Sequence, residues 1–174
     1  MAVAVVFTIY ETMALVNDDN DNDIGDGFPI GMRVLLVDND RESIFSLGTM
    51  LRSCQYQVTT ATDATTVLKM LRVKMLRENK FDLVISELHM PEIDGLKLLK
   101  LMQPWMDIPV ILFSNDYDKN LVMKAVTLGA CDYLLKPIRI EELRIFGSMY
   151  IERRLILRRM KIKIGTHQPL ACLN

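Results

Sequence analysis

The sequence lacks basic residues at its start and lacks any long hydrophobic run. No lysine or arginine precedes Arg33, whereas residues 18–26 (DDNDNDIGD) contain five aspartates. A secretory signal requires a positively charged start, and a membrane span requires about 18 or more consecutive apolar residues. We therefore predict that residues 1–30 form an acidic, disordered tail and that the chain has no membrane partner.

Cysteine is also scarce. The chain has three cysteines in 174 residues, Cys54, Cys131 and Cys172, without a CxxC motif or the cysteine and histidine spacing of metal sites. This usage argues against a disulfide framework or a zinc site and favours reduced thiols in an intracellular protein. With a net charge of −1, 50% hydrophobic and 25% charged residues, the composition predicts one globular domain with tails.

Short apolar segments alternate with longer segments of helical spacing from Met32 onward. The predicted strands are residues 32–38 (MRVLLVD), 56–62 (YQVTTAT), 81–87 (FDLVISE), 108–114 (IPVILFS) and 131–136 (CDYLLK). Strands that alternate with helices form parallel sheets, because right-handed crossovers place the helices on both faces. The sequence therefore predicts a doubly wound α/β fold with a five-stranded parallel sheet.

Five helices are predicted from apolar residues that recur on one face. They lie around Ile44–Leu51, around Val67–Met75, at residues 95–102, at residues 119–129 and after Pro137. Asp40 is the expected N-cap of the first helix, Pro104 ends the third, and Gly129 is the expected left-handed C-cap of the fourth. These residues predict where the helices begin and end, and therefore where the connecting loops lie.

Polar residues stand at the ends of four predicted strands. They are Asp38, Asn39, Glu87, Ser114 and Lys136. In doubly wound sheets, functional sites form outside the carboxyl ends of the strands, so we expect these side chains to meet. This set of residue types suits phosphoryl transfer. Acids bind a metal ion, a carboxylate attacks phosphorus, and a lysine and a hydroxyl hold the transferred oxygens.

The chain resembles the receiver domain of two-component response regulators in four motifs. In order along the sequence they are VLLVDND, VISELHMPEIDG, VILFSND and YLLKP. The resemblance covers residues 32–146 and is closest to plant type-B response regulators and pseudo-response regulators. It implies a flavodoxin-like fold with strand order 2-1-3-4-5 and a role in phosphorelay signalling and transcription regulation in the nucleus. The partners that it implies are other receivers, transcription-regulatory proteins and histidine phosphotransfer proteins, with a dimer through the fourth helix, fifth strand and fifth helix.

The resemblance assigns roles at the metal and acceptor positions. Asp38 matches the first acid of the metal-binding pair, and Asn39 stands where the second acid is expected. Glu87 stands where the phosphoacceptor aspartate belongs, and His89 would supply a backbone carbonyl to the metal ion. Two of the three acids of the family pattern are therefore changed.

The resemblance also implies which residues would respond to phosphorylation. Ser114 matches the switch hydroxyl, Lys136 the family's lysine, and Tyr133 the rotating aromatic residue. Pro137 matches a proline that follows a cis peptide bond. Asn115 departs from the pattern, because the family usually has a small residue after the switch hydroxyl.

Both changes at the acids weaken phosphotransfer. Glu87 is one methylene longer than aspartate, which moves the carboxylate by about an ångström or more from a near-attack position. Asn39 removes a full charge from the metal site, where charge sets the affinity for hard cations. We therefore predict a pseudo-response regulator that acts through protein contacts, with no enzymatic activity and no cofactor beyond weakly bound Mg²⁺.

Other interpretations stay open. Either Glu87 imitates the reach of an aspartyl phosphate toward Lys136 and fixes one conformation, or the two residues form a plain ion pair. A second hypothesis is a Mg²⁺-dependent receiver that a histidine phosphotransfer protein still phosphorylates, and a third is a divergent copy that only folds. Asp40 is expected to cap a helix rather than to replace a metal ligand.

Residues 147–174 are predicted to form a basic helical extension and a loose end. The run RRLILRRMKIK at residues 153–163 suits a nuclear localisation signal or a phosphate contact, but a solvated helix face is the favoured interpretation. Type-B regulators carry a DNA-binding module after the receiver, and only 28 residues follow Phe146. We therefore do not expect DNA binding by this chain alone.

Overall fold

A five-stranded parallel sheet forms the centre of the computed structural model, which describes residues 30–75, 81–103, 108–145 and 147. The strands are β1 (Arg33–Val37), β2 (Gln57–Ala61), β3 (Leu83–Glu87), β4 (Val110–Ser114) and β5 (Asp132–Leu135). Their order is β2-β1-β3-β4-β5, and every neighbouring pair is parallel. The predicted fold class and strand order are confirmed, although each strand is two residues shorter than the predicted segment.

Helices follow the strands as the alternation predicted. They are α1 (Arg41–Ser53), α2 (Ala64–Met75), α3 (Gly95–Met102), α4 (Lys119–Thr127) and α5, which covers residues 140–145. None of the described helices is long and apolar enough to cross a membrane. Pro104 and the two predicted tails, apart from residues 30 and 147, lie outside the described part of the chain.

Aspartates begin four of the helices; Asp63 precedes α2 and accepts from Thr66 N at 2.7 Å, and the other three begin α1, α3 and α4. Asp40, Asp94 and Asp118 accept hydrogen bonds from first-turn amides, namely from Glu42 N at 3.0 Å, Lys97 N at 2.7 Å and Asn120 N at 2.7 Å. Each bond satisfies an N–H that has no partner within its helix. The predicted cap at Asp40 is confirmed, and three loops at the carboxyl end of the sheet are fixed by their own acids.

The end of α4 is set by a left-handed glycine. Gly129 has a φ of 88°, and its N–H donates to Val126 O at 2.9 Å. The next amide, Ala130 N, donates to Ala125 O at 2.9 Å. This pair of bonds is the Schellman motif, which only a residue at ease with positive φ completes without strain. The predicted C-cap is therefore confirmed.

Two apolar clusters cover the two faces of the sheet. The cluster on the side of α1 and α5 includes Leu36, Leu51, Ile85, Phe113, Leu134 and Leu143. The cluster on the side of α2, α3 and α4 includes Leu35, Val67, Val84, Leu98, Leu112 and Ala125. Because the central strands are buried on both faces, they are apolar throughout rather than alternating in polarity.

The alternation of side chains along a strand decides on which face each strand-end residue lies. Asp38, Glu87 and Lys136 each stand two positions beyond a residue of the α1 and α5 cluster, so they continue that face. Ser114 stands two positions beyond a residue of the opposite cluster, and Tyr133 packs against that cluster. The alternation thus assigns the three charged side chains to one face of the sheet and Ser114 and Tyr133 to the other.

Candidate functional site

Three charged residues, which we call the ion triad (Asp38, Glu87 and Lys136), meet at the carboxyl end of the sheet. Lys136 Nζ lies 2.9 Å from Asp38 Oδ2 and 2.7 Å from Glu87 Oε2. Asp38 is 1% exposed and Glu87 is 5% exposed. Buried carboxylates at this depth are tolerated only when a cation and hydrogen bonds compensate for the lost water. One ammonium group therefore serves two carboxylates.

The second oxygen of Glu87 turns back toward the backbone of its own loop. Glu87 Oε1 accepts hydrogen bonds from Leu88 N at 2.9 Å and from His89 N at 3.0 Å. Leu88 N also donates to Phe113 O at 2.8 Å, so this N–H is shared between two acceptors. The extra methylene of glutamate lets the side chain fold over the loop. Its Oε1 is hydrogen-bonded to that loop, whereas Oε2 is ion-paired with Lys136 and accepts no hydrogen bond.

Lys136 is held by an aromatic ring as well as by carboxylates. Its ammonium lies 4.8 Å from the centroid of the Phe113 ring, which is fully buried. Burial lowers the pKa of Lys136, but Glu87 and Asp38 raise it by more, and the pKa lies above its ordinary value. Lys136 is therefore a permanent cation at physiological pH.

Asp38 and Asn39 were expected at a magnesium site. Asp38 Oδ2 bonds Lys136, and Asp38 Oδ1 accepts from Asp40 N at 2.9 Å. Asn39 is exposed and carries no charge. Among the residues that the structure describes, no group of three or more His, Cys, Asp or Glu side chains is arranged to hold a metal ion. The two buried carboxylates that a magnesium ion would use, those of Asp38 and Glu87, are both paired with Lys136.

Ser114 and Tyr133 form a second group on the other side of the sheet. The Ser114 hydroxyl is buried and accepts from Asp116 N at 3.2 Å, and the Tyr133 hydroxyl donates to Asp116 O at 2.9 Å. Burial is the main cause that raises the pKa of Tyr133; Ser114 lowers it in part, and Glu87, Asp116 and Asp118 raise it further. Both side chains therefore hold the loop between β4 and α4.

The structure brings together the residues that the strand-end rule selected, but in two separate groups. The Lys136 side chain contacts Glu87 and Asp38, whereas the Ser114 hydroxyl accepts from Asp116 N. The backbone joins the two groups, because Lys136 N donates to Ser114 O at 2.8 Å. His89 is exposed and contributes its N–H to Glu87. The peptide bond between Lys136 and Pro137 is cis, as the resemblance implies. The functional roles assigned to these residues remain predictions.

Sequence reasoning missed Phe113 and Asp116. Phe113 is the direct neighbour of Glu87 across β3 and β4, but nothing in the sequence fixes that register. Asp116 acts through its backbone amide and carbonyl, so its side-chain type carries no signal of the role. A sequence signal for Phe113 does exist: an aromatic residue directly precedes Ser114 at the end of a buried strand.

A parallel sheet of order 2-1-3-4-5 that gathers a carboxylate pair, a lysine and a hydroxyl at its carboxyl edge defines the class of receiver domains. Residues 34–146 match the response regulator receiver domain. The chain therefore belongs to the response regulator receiver family, whose domains are signalling modules. The sequence resemblance to this family is confirmed.

The most informative relatives are plant proteins. The chain is 53% identical over 131 residues to two-component response regulator ORR22 of Oryza sativa subsp. japonica, covering 74% of this chain and 18% of that protein. It is 56% identical over 129 residues to two-component response regulator ARR12 of Arabidopsis thaliana, covering 74% of this chain and 21% of that protein. The chain thus spans about a fifth of the length of the curated relatives that it matches.

Solved bacterial receivers have the same fold. A response regulator receiver domain protein from Clostridium thermocellum is 25% identical with a TM-score of 0.64, covering 72% of this chain and 98% of that chain. The signal receiver domain of an HD domain-containing protein from Pseudomonas fluorescens Pf-5 is 32% identical with a TM-score of 0.61, covering 71% and 96%. Nearly the whole of each bacterial receiver therefore superimposes on this chain.

Proposed function

We propose that this chain is a pseudo-response regulator: a receiver-like module of a plant two-component system that accepts no phosphoryl group and acts through protein contacts in the nucleus. The observation that carries the proposal is the state of the Glu87 carboxylate. Glu87 Oε2 lies 2.7 Å from Lys136 Nζ, and Glu87 Oε1 accepts two backbone amides. One oxygen at the acceptor position is therefore hydrogen-bonded to the backbone, and the other is ion-paired with Lys136.

A nucleophilic carboxylate needs a free oxygen aimed at the phosphorus atom. Misplacement by about an ångström already costs roughly two orders of magnitude in rate. Glu87 is longer than aspartate, and freeing either oxygen would break an ion pair or two hydrogen bonds in a site that is almost fully buried. The chemistry is further opposed at Asn39, which supplies no charge for a metal ion. The module is therefore not an enzyme in this proposal, and it binds Mg²⁺ weakly at most.

The same contacts suggest what Glu87 does instead. An aspartyl phosphate would be held by Lys136 and by the Ser114 hydroxyl. Glu87 reaches Lys136, whereas Ser114 bonds Asp116 N. Glu87 therefore reproduces the contact with Lys136 that an aspartyl phosphate would make, but not the contact with the Ser114 hydroxyl. This arrangement supports a receiver fixed in one conformation, with the lysine permanently engaged.

Protein contacts are proposed through the face formed by α4, β5 and α5. Large apolar side chains on this face are exposed: Met123 and Val126 on α4, Leu135 at the end of β5, and Ile145 on α5. Exposed apolar side chains on neighbouring elements are typical of interaction surfaces. The expected partners are a second copy, other receivers and transcription-regulatory proteins.

Sedimentation of the wild type and of Val126→Asp tests this surface. The wild type should show concentration-dependent dimers, or mixed dimers with an intact receiver, and the aspartate should abolish them. Phe45→Asp on α1 is the matched control, because Phe45 is also exposed but lies on a different element. Equal loss of association in both variants, or a wild type that never associates, would reject the face.

Phosphorylation by acetyl phosphate or by a phosphorylated histidine phosphotransfer protein tests the main proposal. Wild type, Glu87→Asp and the double variant Asn39→Asp with Glu87→Asp are compared in the presence of Mg²⁺. We expect no hydroxylamine-labile label on the wild type and label on the double variant, because it regains both the acceptor length and the metal charge. Label on the wild type that disappears in Glu87→Ala would overturn the proposal.

That overturning result would support the second candidate function, a Mg²⁺-dependent receiver phosphorylated by a histidine phosphotransfer protein. The observation in its favour is that Asp38, Ser114 and Lys136 all keep the residue types of the family and converge at the strand ends. In that case Glu87 would have to leave Lys136 before each transfer. Label on Glu87 itself, located by mass spectrometry, is the result that this alternative requires.

A further inference from the structure

We infer that Phe113 is the positioning residue for Lys136: its buried ring holds the ammonium in place between Asp38 and Glu87. The inference deepens the proposed function, on which it rests, by naming what keeps the lysine engaged. It concerns contacts within the chain and involves no bound ligand.

The register of the sheet places Phe113 beneath the ion triad. Phe113 pairs with Glu87 on β3 and with Leu134 on β5, so that it lies between the acceptor strand and the strand that leads to Lys136. Its side chain belongs to the α1 and α5 cluster, the face on which the triad lies, and it is fully buried. The ring is therefore fixed by the core, and it cannot follow Lys136 if the lysine moves.

Lys136 has a reason to need such a support. The Lys136 side chain is 18% exposed, so water competes for the ammonium group, whereas the side chain of Glu87 is only 6% exposed. A lysine side chain has four rotatable bonds and gives up much freedom when it is held at one point. The negative face of the Phe113 ring, 4.8 Å from Nζ, attracts the ammonium from the side opposite to solvent.

The three contacts together leave Lys136 little capacity for another partner. An ammonium group has three N–H donors. Here Nζ donates to Asp38 Oδ2, lies in an ion pair with Glu87 Oε2, and faces the ring on a third side. An aliphatic residue at position 113 would keep the site apolar, with some loss of packing, but would attract no cation. We therefore assign the positioning of Lys136 to the aromatic character of Phe113 and not to its volume.

Fluorinated phenylalanines at position 113 test this distinction, because fluorine weakens the negative ring face with little change of shape. The full chain is made with phenylalanine, para-fluorophenylalanine or trifluorophenylalanine at this position, and acylation of lysine amines by a succinimidyl ester is followed by mass spectrometry. We expect Lys136 to label faster in order of fluorination, by roughly two- to fivefold at the end of the series. Lys97 and Lys100, exposed on α3, should not change and serve as internal references.

A second variant keeps the test decisive if fluorination perturbs the core. Phe113→Leu should raise the labelling of Lys136. The control Ile111→Val, on the same strand and face, should lower the melting temperature but leave the labelling of Lys136 unchanged. Equal Lys136 labelling across the fluorinated series and in Phe113→Leu would show that Phe113 only fills the core. The outcome is separable from phosphotransfer: labelled phosphate on wild-type Glu87 would reject the proposed function and leave the role of Phe113 intact.

Discussion

Gly95 lies against the carbonyl group of Glu87 so closely that a Cβ atom at Gly95 would come within 2.6 Å of Glu87 O. The same atom would lie 3.0 Å from Leu88 Cα, and the Gly95 amide donates to Leu88 O at 2.8 Å. The start of α3 therefore packs directly on the backbone of the acceptor loop. Only a residue without a side chain allows this approach.

Gly95→Ala should destabilise the fold by about 2 kcal/mol, because neither backbone can withdraw without breaking the contact between β3 and α3. Urea unfolding followed by circular dichroism measures the change. Gly48→Ala on α1 is the matched control: its Cβ would meet only the flexible end of Arg52, and alanine should stabilise the helix by about 0.5–1 kcal/mol. A gain in stability for Gly95→Ala would contradict the described approach.

Glu87→Gln tests the ion triad without changing its shape. The amide keeps an oxygen for Leu88 N and His89 N but removes the charge that faces Lys136. The free energy of unfolding should fall by about 2 kcal/mol, less than for a fully buried pair because Lys136 is partly exposed. Glu42→Gln, at an exposed position in the first turn of α1, should change it by less than about 0.5 kcal/mol. Equal unfolding energies for Glu87→Gln and wild type would mean that the triad contributes nothing to stability.

Asp132→Asn should make the protein more stable at neutral pH. Burial, with a smaller contribution from Glu142, raises the pKa of Asp132, so the folded state binds its proton more tightly than the unfolded chain. The penalty for ionising it is absent below the unfolded pKa of about 4 and complete above the folded pKa. The advantage of the variant should therefore vanish as the pH falls below about 4, as measured by thermal unfolding across pH.

Asp63→Asn provides a comparison of opposite sign. Hydrogen bonds from Thr66 N at 2.7 Å and Thr66 Oγ1 at 2.8 Å lower the pKa of Asp63. Its contribution to stability is present above the unfolded pKa and is lost as the pH falls through the folded pKa. The variant should be less stable than wild type at neutral pH, and the difference should shrink in acid. The same sign for both variants would refute these pKa directions.

Gln55→Gly should stabilise the turn between α1 and β2. Gln55 has a φ of 61°, a conformation that costs a residue with a side chain about 1 kcal/mol and costs glycine nothing. After the greater chain entropy of glycine, the net gain should be about 0.5 kcal/mol. Gln57→Gly, two residues later at an exposed position in β2, should destabilise the protein. Chemical unfolding of both variants decides the matter, and loss of stability in Gln55→Gly would count against the left-handed turn.

Much of the fold follows from the sequence because its local signals agree. Buried strands, apolar helix faces, the Asp40 cap and the Gly129 cap all specify the same alternation, and crossover handedness then restricts the sheet. Strand ends were less accurate because pairing decides them: Tyr56 was assigned to a strand, but β2 begins at Gln57 and the Tyr56 hydroxyl donates to Leu143 O at 3.2 Å.

The candidate site was predictable as a set of residues and not as a set of contacts. The rule that sites form at carboxyl strand ends selects Glu87 and Lys136, and it is silent on rotamers. The return of Glu87 Oε1 to His89 N depends on one extra methylene and on the loop geometry. The role of Phe113 depends on register, which follows from the assembled sheet rather than from any local pattern.

The strand-end residues form two groups of side chains, one on each face of the sheet. The charged group, with Glu87 and Lys136, lies on the side of α1 and α5, whereas the hydroxyl group, with Ser114 and Tyr133, lies on the side of α4. A phosphoryl group carries three acceptor oxygens, whereas the Glu87 carboxylate has two, and these face Lys136 and the backbone of its own loop. Phosphorylation of an aspartate restored at position 87 would therefore be expected to link the two groups of side chains, a link that Glu87 alone does not make.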